Sequence, residues 1–127
     1  MTVKPSASPI RRILLAEDDD AMRAFLARAL DKAGYEVVSF NNGADALERL
    51  KQEPFTLLLT DIVMPRMDGI ELARRASSLD PDIKIMFITG FAAVTLNSET
   101  QPKDSRVLSK PFHLRDLVRE VDKLLEA

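Results

Sequence analysis

The run Phe55-Thr56-Leu57-Leu58-Leu59-Thr60 is apolar without alternation, and it stops at Asp61. A short stretch of that kind must be covered on both faces, as a parallel strand is between two layers of helix. Three other runs end in the same way. Ile13-Leu14-Leu15-Ala16 leads into Glu17-Asp18-Asp19-Asp20, Lys84-Ile85-Met86-Phe87-Ile88 is closed by Thr89, and Arg106-Val107-Leu108-Ser109 is followed by Lys110-Pro111. In open parallel sheets ligands bind beyond the carboxyl ends of the strands. Carboxylates, a hydroxyl and an ammonium at four strand ends would form one site, suited to a metal ion and a phosphoryl group.

The segments between these runs carry helical periodicity. Asp20 to Ala33 places Met22, Phe25, Leu26, Ala29 and Leu30 on one face, and Gly34 stands where a helix commonly ends. Asp19 or Asp20 is suited to cap that helix. Glu36 to Phe40 reads as an edge strand. Asn41-Asn42-Gly43 reads as a turn before a helix from Ala44 to Lys51. Asp68-Gly69 reads as turn and cap for a helix that starts at Gly69 or Ile70 and reaches Ser78, and Leu79-Asp80-Pro81-Asp82 breaks it. Leu114 to Leu125 forms the last helix, with Arg115, Arg119 and Lys123 on its solvated side and His113 on the surface beside its start. Gly90 to Ser105 fits the repeat badly, because Thr95 to Pro102 is β-branched, polar or helix-breaking; one or two turns near Phe91 to Leu96 are expected, then a loop. The expected fold is a flavodoxin-like α/β three-layer sandwich with five parallel strands in the order 2-1-3-4-5.

The chain has 127 residues, which is the size of one domain, and a formal charge of -2 supplies no basic stripe for nucleic acid. It has no cysteine and a single histidine, so thiolate and His-rich metal sites are excluded. No apolar run is long enough to span a bilayer. Residues 1–9 read as a flexible arm, 10–127 as the domain, and a cytoplasmic location is expected. No Gly-x-x-x-x-Gly-Lys or Gly-x-Gly-x-x-Gly is present, and Met22 stands where an EF-hand would need its third ligand.

The acidic pair Glu17-Asp18, Asp61 with Met64-Pro65 and Asp68-Gly69, Thr89 followed by a small residue, and Lys110-Pro111-Phe112 together resemble the receiver domain of bacterial two-component response regulators. The resemblance runs from Ile10 to Leu125. It implies a phosphoacceptor at Asp61 and a Mg²⁺ ion held by Asp18, Asp61 and the backbone carbonyl of Val63, with Glu17 reached through metal-bound water. It also implies a hydrogen bond from Thr89 to the phosphoryl group, pairing of that group with Lys110, and a cis Lys110-Pro111 bond. A histidine kinase or histidine phosphotransfer protein would be the donor, and no output domain is expected. Within the family, the segments around Asp61, Thr89 and Lys110 look most like a single-domain group whose unphosphorylated form primes the ClpXP protease. The implied output is therefore altered binding to an effector protein. The alternative is a phosphate sink or relay with no output of its own.

Two departures from the family pattern bear on signalling. Val107 stands where many receivers carry a Tyr or Phe whose ring moves with the threonine, so ordering of residues 90–105 is expected to take over the switching role. Val63 and Phe91 are apolar at positions that often steer water to the phosphoaspartate, so self-dephosphorylation is expected to be slow.

Overall fold

A computed structural model describes residues 11–90 and 105–126. The elements run β1 (Arg12–Ala16), α1 (Asp20–Lys32), β2 (Glu36–Phe40), α2 (Gly43–Gln52), β3 (Leu57–Asp61), α3 (Gly69–Leu79), β4 (Lys84–Thr89), β5 (Arg106–Ser109) and α4 (Leu114–Glu126). All strand pairs are parallel, and the sheet order is β2-β1-β3-β4-β5, as the alternation of runs predicts. The expected arm and the expected turns near Phe91 to Leu96 lie outside the described residues.

Helix starts follow local chemistry. The side chains of Asp19, Asn42 and Asp68 accept hydrogen bonds from the backbone N–H of Met22, Asp45 and Glu71, each satisfying a donor that the first turn leaves unpaired. Gly34, at φ 102°, follows the end of α1 in the left-handed conformation that glycine adopts without steric cost.

The sheet separates two apolar cores. One packs Leu14, Leu58, Ile85 and Phe87 against α2 and α3 through Ala46, Leu47, Leu72 and Ala76. The other packs Ile13, Leu15, Leu59 and Ile88 against α1 and α4 through Leu26, Leu30, Leu117 and Val121. Residues adjacent in a strand thus serve opposite cores, which is why β3 lacks alternation.

Two details differ from the sequence reading. Phe25 is 55% exposed, although helical spacing places it with Leu26 and Leu30. It lies at the margin of the apolar stripe and, with Met22, faces Pro111, Phe112 and Leu114 across a cavity of about 390 Å³. The third strand begins at Leu57 and includes Asp61, whose Cα pairs with Ile88 of β4. Asp61 therefore belongs to the sheet and inherits its rigidity.

Candidate functional site

Parallel pairing brings the carboxyl ends of β1, β3, β4 and β5 side by side, and the chemistry gathers there. Asp61 is 8% exposed. Its carbonyl accepts the Thr60 hydroxyl at 2.8 Å, and its Oδ1 accepts the Ile62 N–H at 2.7 Å. Glu17 is fully buried beyond the end of β1. Its N–H donates to the carbonyl of Phe40 at 3.0 Å, and its Oε2 accepts the Asp19 N–H at 3.1 Å. Asp18 is exposed beside it. One carboxylate oxygen from each of Glu17, Asp18 and Asp61 lies within 4.8 Å of the others.

Lys110 reaches the same point from β5. Its Nζ is 3.2 Å from Asp61 Oδ2 and 3.5 Å from Glu17 Oε1. The Lys110 N–H donates to the Thr89 carbonyl at 2.8 Å, and the bond to Pro111 is cis, as the resemblance implies. Thr89, buried, is the last residue of β4 and pairs in register with Ser109. The structure thus brings Glu17, Asp18, Asp61 and Lys110 together and sets Thr89 at the strand end between Asp61 and Lys110. Val63, 65% exposed, follows in the β3–α3 loop.

The electrostatics are those of an acid-rich hollow with one cation. Burial, reinforced by the charge of Asp61, raises the Glu17 carboxyl to about 7, against the opposing effects of the Asp19 N–H and of Lys110. Burial acts to lower the Lys110 ammonium, but Asp61 and then Glu17 outweigh it and hold the group above its ordinary value. Two carboxylates about 4 Å apart repel by roughly 4 kcal/mol at an effective dielectric near 20. Oxygen donors alone, with no nitrogen or sulfur, suit a hard divalent cation.

Backbone packing fixes the loop from 62 to 68. A Cβ on Gly69 would stand 2.0 Å from the Asp61 carbonyl oxygen, and one on Gly43 would stand 2.4 Å from that of Met67. The Gly69 N–H closes the loop onto the Ile62 carbonyl at 2.7 Å. Inside it, Arg66 sits at φ 70° while the Met67 N–H bonds the Pro65 carbonyl at 2.8 Å, a three-residue turn that is uncommon for a side-chain-bearing residue. The sequence reading took Gly43 for a turn residue only and passed over Arg23. Arg23 left a signal, since a cation in the first turns of a helix opposes the macrodipole and calls for a compensating contact.

Residues 13–122 match the family model for the response regulator receiver domain, and the chain belongs to that family. It is therefore a signalling domain of the two-component type, whose family role is to accept a phosphoryl group. The response regulator receiver protein CpdR of Brucella abortus is 70% identical over 119 residues, covering 93% of this chain and 99% of the relative. A response regulator receiver protein from Sinorhizobium medicae superposes with a TM-score of 0.87 at 34% identity, covering 93% of this chain and 96% of that one. The response regulator TrrA of Thermotoga maritima, in complex with Mg²⁺-BeF, superposes at 0.82 with 30% identity, covering 91% of this chain and all, 100%, of that one. No helix among the described residues is long and apolar enough to cross a membrane.

Proposed function

We propose that the chain is a CpdR-like response regulator that takes a phosphoryl group on Asp61 and thereby changes its grip on an effector protein. The observation that carries this is the convergence of three carboxylates within 4.8 Å, with the Lys110 ammonium on two of them. The donor set fits Mg²⁺: Asp18, Asp61 and the Val63 carbonyl would hold it, with Glu17 acting through metal-bound water. The bound ion would supply positive charge against which carboxylate and phosphoryl oxygens can approach. The Mg²⁺-BeF complex of TrrA supports that assignment.

An ionised aspartate attacks phosphorus without a general base. One Asp61 carboxylate oxygen forms the new O–P bond while the P–N bond to the donor's histidine breaks, and the departing imidazole takes up a proton. The donor is a histidine kinase or a histidine phosphotransfer protein. Lys110, already beside Asp61 Oδ2, moves its charge onto the phosphoryl oxygens, and Thr89 donates a hydroxyl hydrogen bond to them. Charge-assisted bonds of this kind contribute on the order of 1.5–3 kcal/mol each. Two of them approach the ~5.5 kcal/mol needed to invert a two-state population. The exposed Val63 side chain cannot orient a water by hydrogen bonding, so the phosphoryl group leaves slowly on its own. The resemblance to the single-domain group that primes ClpXP implies that protease as effector, and the 70% identity to CpdR over 99% of that relative supports the likeness.

Acetyl phosphate with Mg²⁺ should add one phosphoryl mass to the protein, mapped to Asp61 and absent from Asp61→Asn; an unmodified wild type sinks the reading. Pull-down with Asp61→Ala should recover a protease-side partner, whereas recovery of kinase-side proteins alone would make the chain a phosphate sink.

A further inference from the structure

We infer that Arg23 is a positioning residue for the cation site: it pins the peptide between Glu17 and Asp18 and so sets where the Asp18 carboxylate points. The inference rests on the proposed Mg²⁺ site and extends it to a residue that touches neither metal nor phosphoryl group. Arg23 extends from α1 back over the β1–α1 turn. Its Nη1 donates to the Glu17 carbonyl at 3.0 Å, and its Nη2 pairs with Asp20 Oδ1 at 2.7 Å. Its side chain is 21% exposed, whereas that of Asp20 is 85% exposed, so the guanidinium lies against the turn and the carboxylate closes over it from solvent.

The need for such a brace follows from how the turn is held. Glu17 is fixed by its N–H to the Phe40 carbonyl. Asp19 is fixed twice, by its N–H to Glu17 Oε2 and by its side chain on the Met22 N–H. Asp18, between them, is exposed, and among the described residues its side chain has no hydrogen-bond or ion-pair partner. The direction of its Cα–Cβ bond, from which the carboxylate reaches the site, is set by the peptide planes on either side. The plane before Asp18 carries the Glu17 carbonyl, and Arg23 is the group that holds it. Rotation of that plane would swing the Asp18 carboxylate away from those of Glu17 and Asp61.

Charge and position predict opposite signs, which makes the role testable. Arg23 is a cation near a divalent-cation site, so deleting it would tighten Mg²⁺ binding if charge alone mattered. Loss of an outer positioning contact weakens metal binding, commonly by about tenfold or more. The experiment is titration of the full chain with MgCl₂, followed by amide chemical shifts, for wild type, Arg23→Met, Arg23→Lys and Arg28→Met; the last removes an equal charge from an exposed position on α1. Arg23→Met is expected to bind about tenfold more weakly and to shift the Asp18 and Asp19 amides before any metal is added. Arg23→Lys keeps the charge without the two-pronged reach and should also weaken binding, whereas Arg28→Met should not. Unchanged or tighter binding by Arg23→Met overturns the inference. A wild type that takes no Mg²⁺ would instead bring down the function proposed above, and the metal-free amide shifts separate the two failures.

Discussion

The two ends of the sheet carry charge in opposite ways. At the amino ends of β1 and β2 the charges gathered around Arg12 have partners. Arg12 bonds Glu36 at 3.0 Å, pairs with Glu53, donates to the Pro54 carbonyl at 3.2 Å and lies 4.6 Å from the centre of the Phe55 ring. Arg49 also pairs with Glu53, which is held below the ordinary carboxylate range by Arg49 and then Arg12. Tyr35 donates to Asp122, and burial followed by that bond pushes its hydroxyl up to about 12. At the carboxyl ends, Glu17, Asp18 and Asp61 crowd together with Lys110 as the cation that touches two of them. One end is electrically complete. The other is short of positive charge, and its clustered carboxylate oxygens suit a hard divalent cation.

The largest effect expected at the incomplete end is that of Asp61→Asn. Phosphoryl incorporation from acetyl phosphate should fall to nothing by intact mass, while the metal-free protein becomes more stable toward urea because a crowded charge is gone. A loss of stability would mean that the ion pair with Lys110 outweighs the repulsion from Glu17. Gly69→Ala should come next. Its Cβ would meet the Asp61 carbonyl oxygen at 2.0 Å, a backbone atom of a buried strand that cannot step aside. Overpacking of this kind costs about 3 kcal/mol in urea unfolding, and Gly43→Ala, facing Met67 at 2.4 Å, should follow the same trend. At the complete end, Arg12→Met should cost only about 1 kcal/mol, since exposed pairs contribute little and ring stacking adds a modest amount. It should leave phosphorylation unchanged; a change there would show that the two ends communicate.

The sequence disclosed these ends unequally. Glu17, Asp18, Asp61 and Lys110 were legible because each lies at or just past the end of a strand-like run, and a break in hydrophobic pattern survives in one dimension. The strand order followed from the alternation of strand and helix. Phe25 misled, because helical spacing measures angle around an axis and cannot tell the centre of a buried stripe from its margin. Gly43 and Gly69 read as turn residues, yet their closeness to Met67 and Asp61 is a property of three dimensions. Arg12 gave no sign of its hold on Glu36 and Glu53, which come from separate segments of the chain.

The pH dependence of stability sets the two ends most directly against each other. Glu17 titrates near 7 in the folded protein, against 4.5 for an ordinary glutamate. Between those values the native state binds more protons than the unfolded one, so this group makes metal-free stability fall as pH rises from about 4.5 to about 7, then level off. Glu53 is shifted the other way: its contribution is present above the ordinary glutamate value and is lost as pH falls below it, and exposure keeps it small. Melting curves across that range should show the first slope in wild type, none of it in Glu17→Gln, and all of it in Arg12→Met. Saturating Mg²⁺ should flatten the slope by favouring the ionised acid cluster. If Glu17→Gln keeps the wild-type slope, the acid crowding beside Asp61 is not what titrates, and the contrast between the ends loses its electrostatic basis.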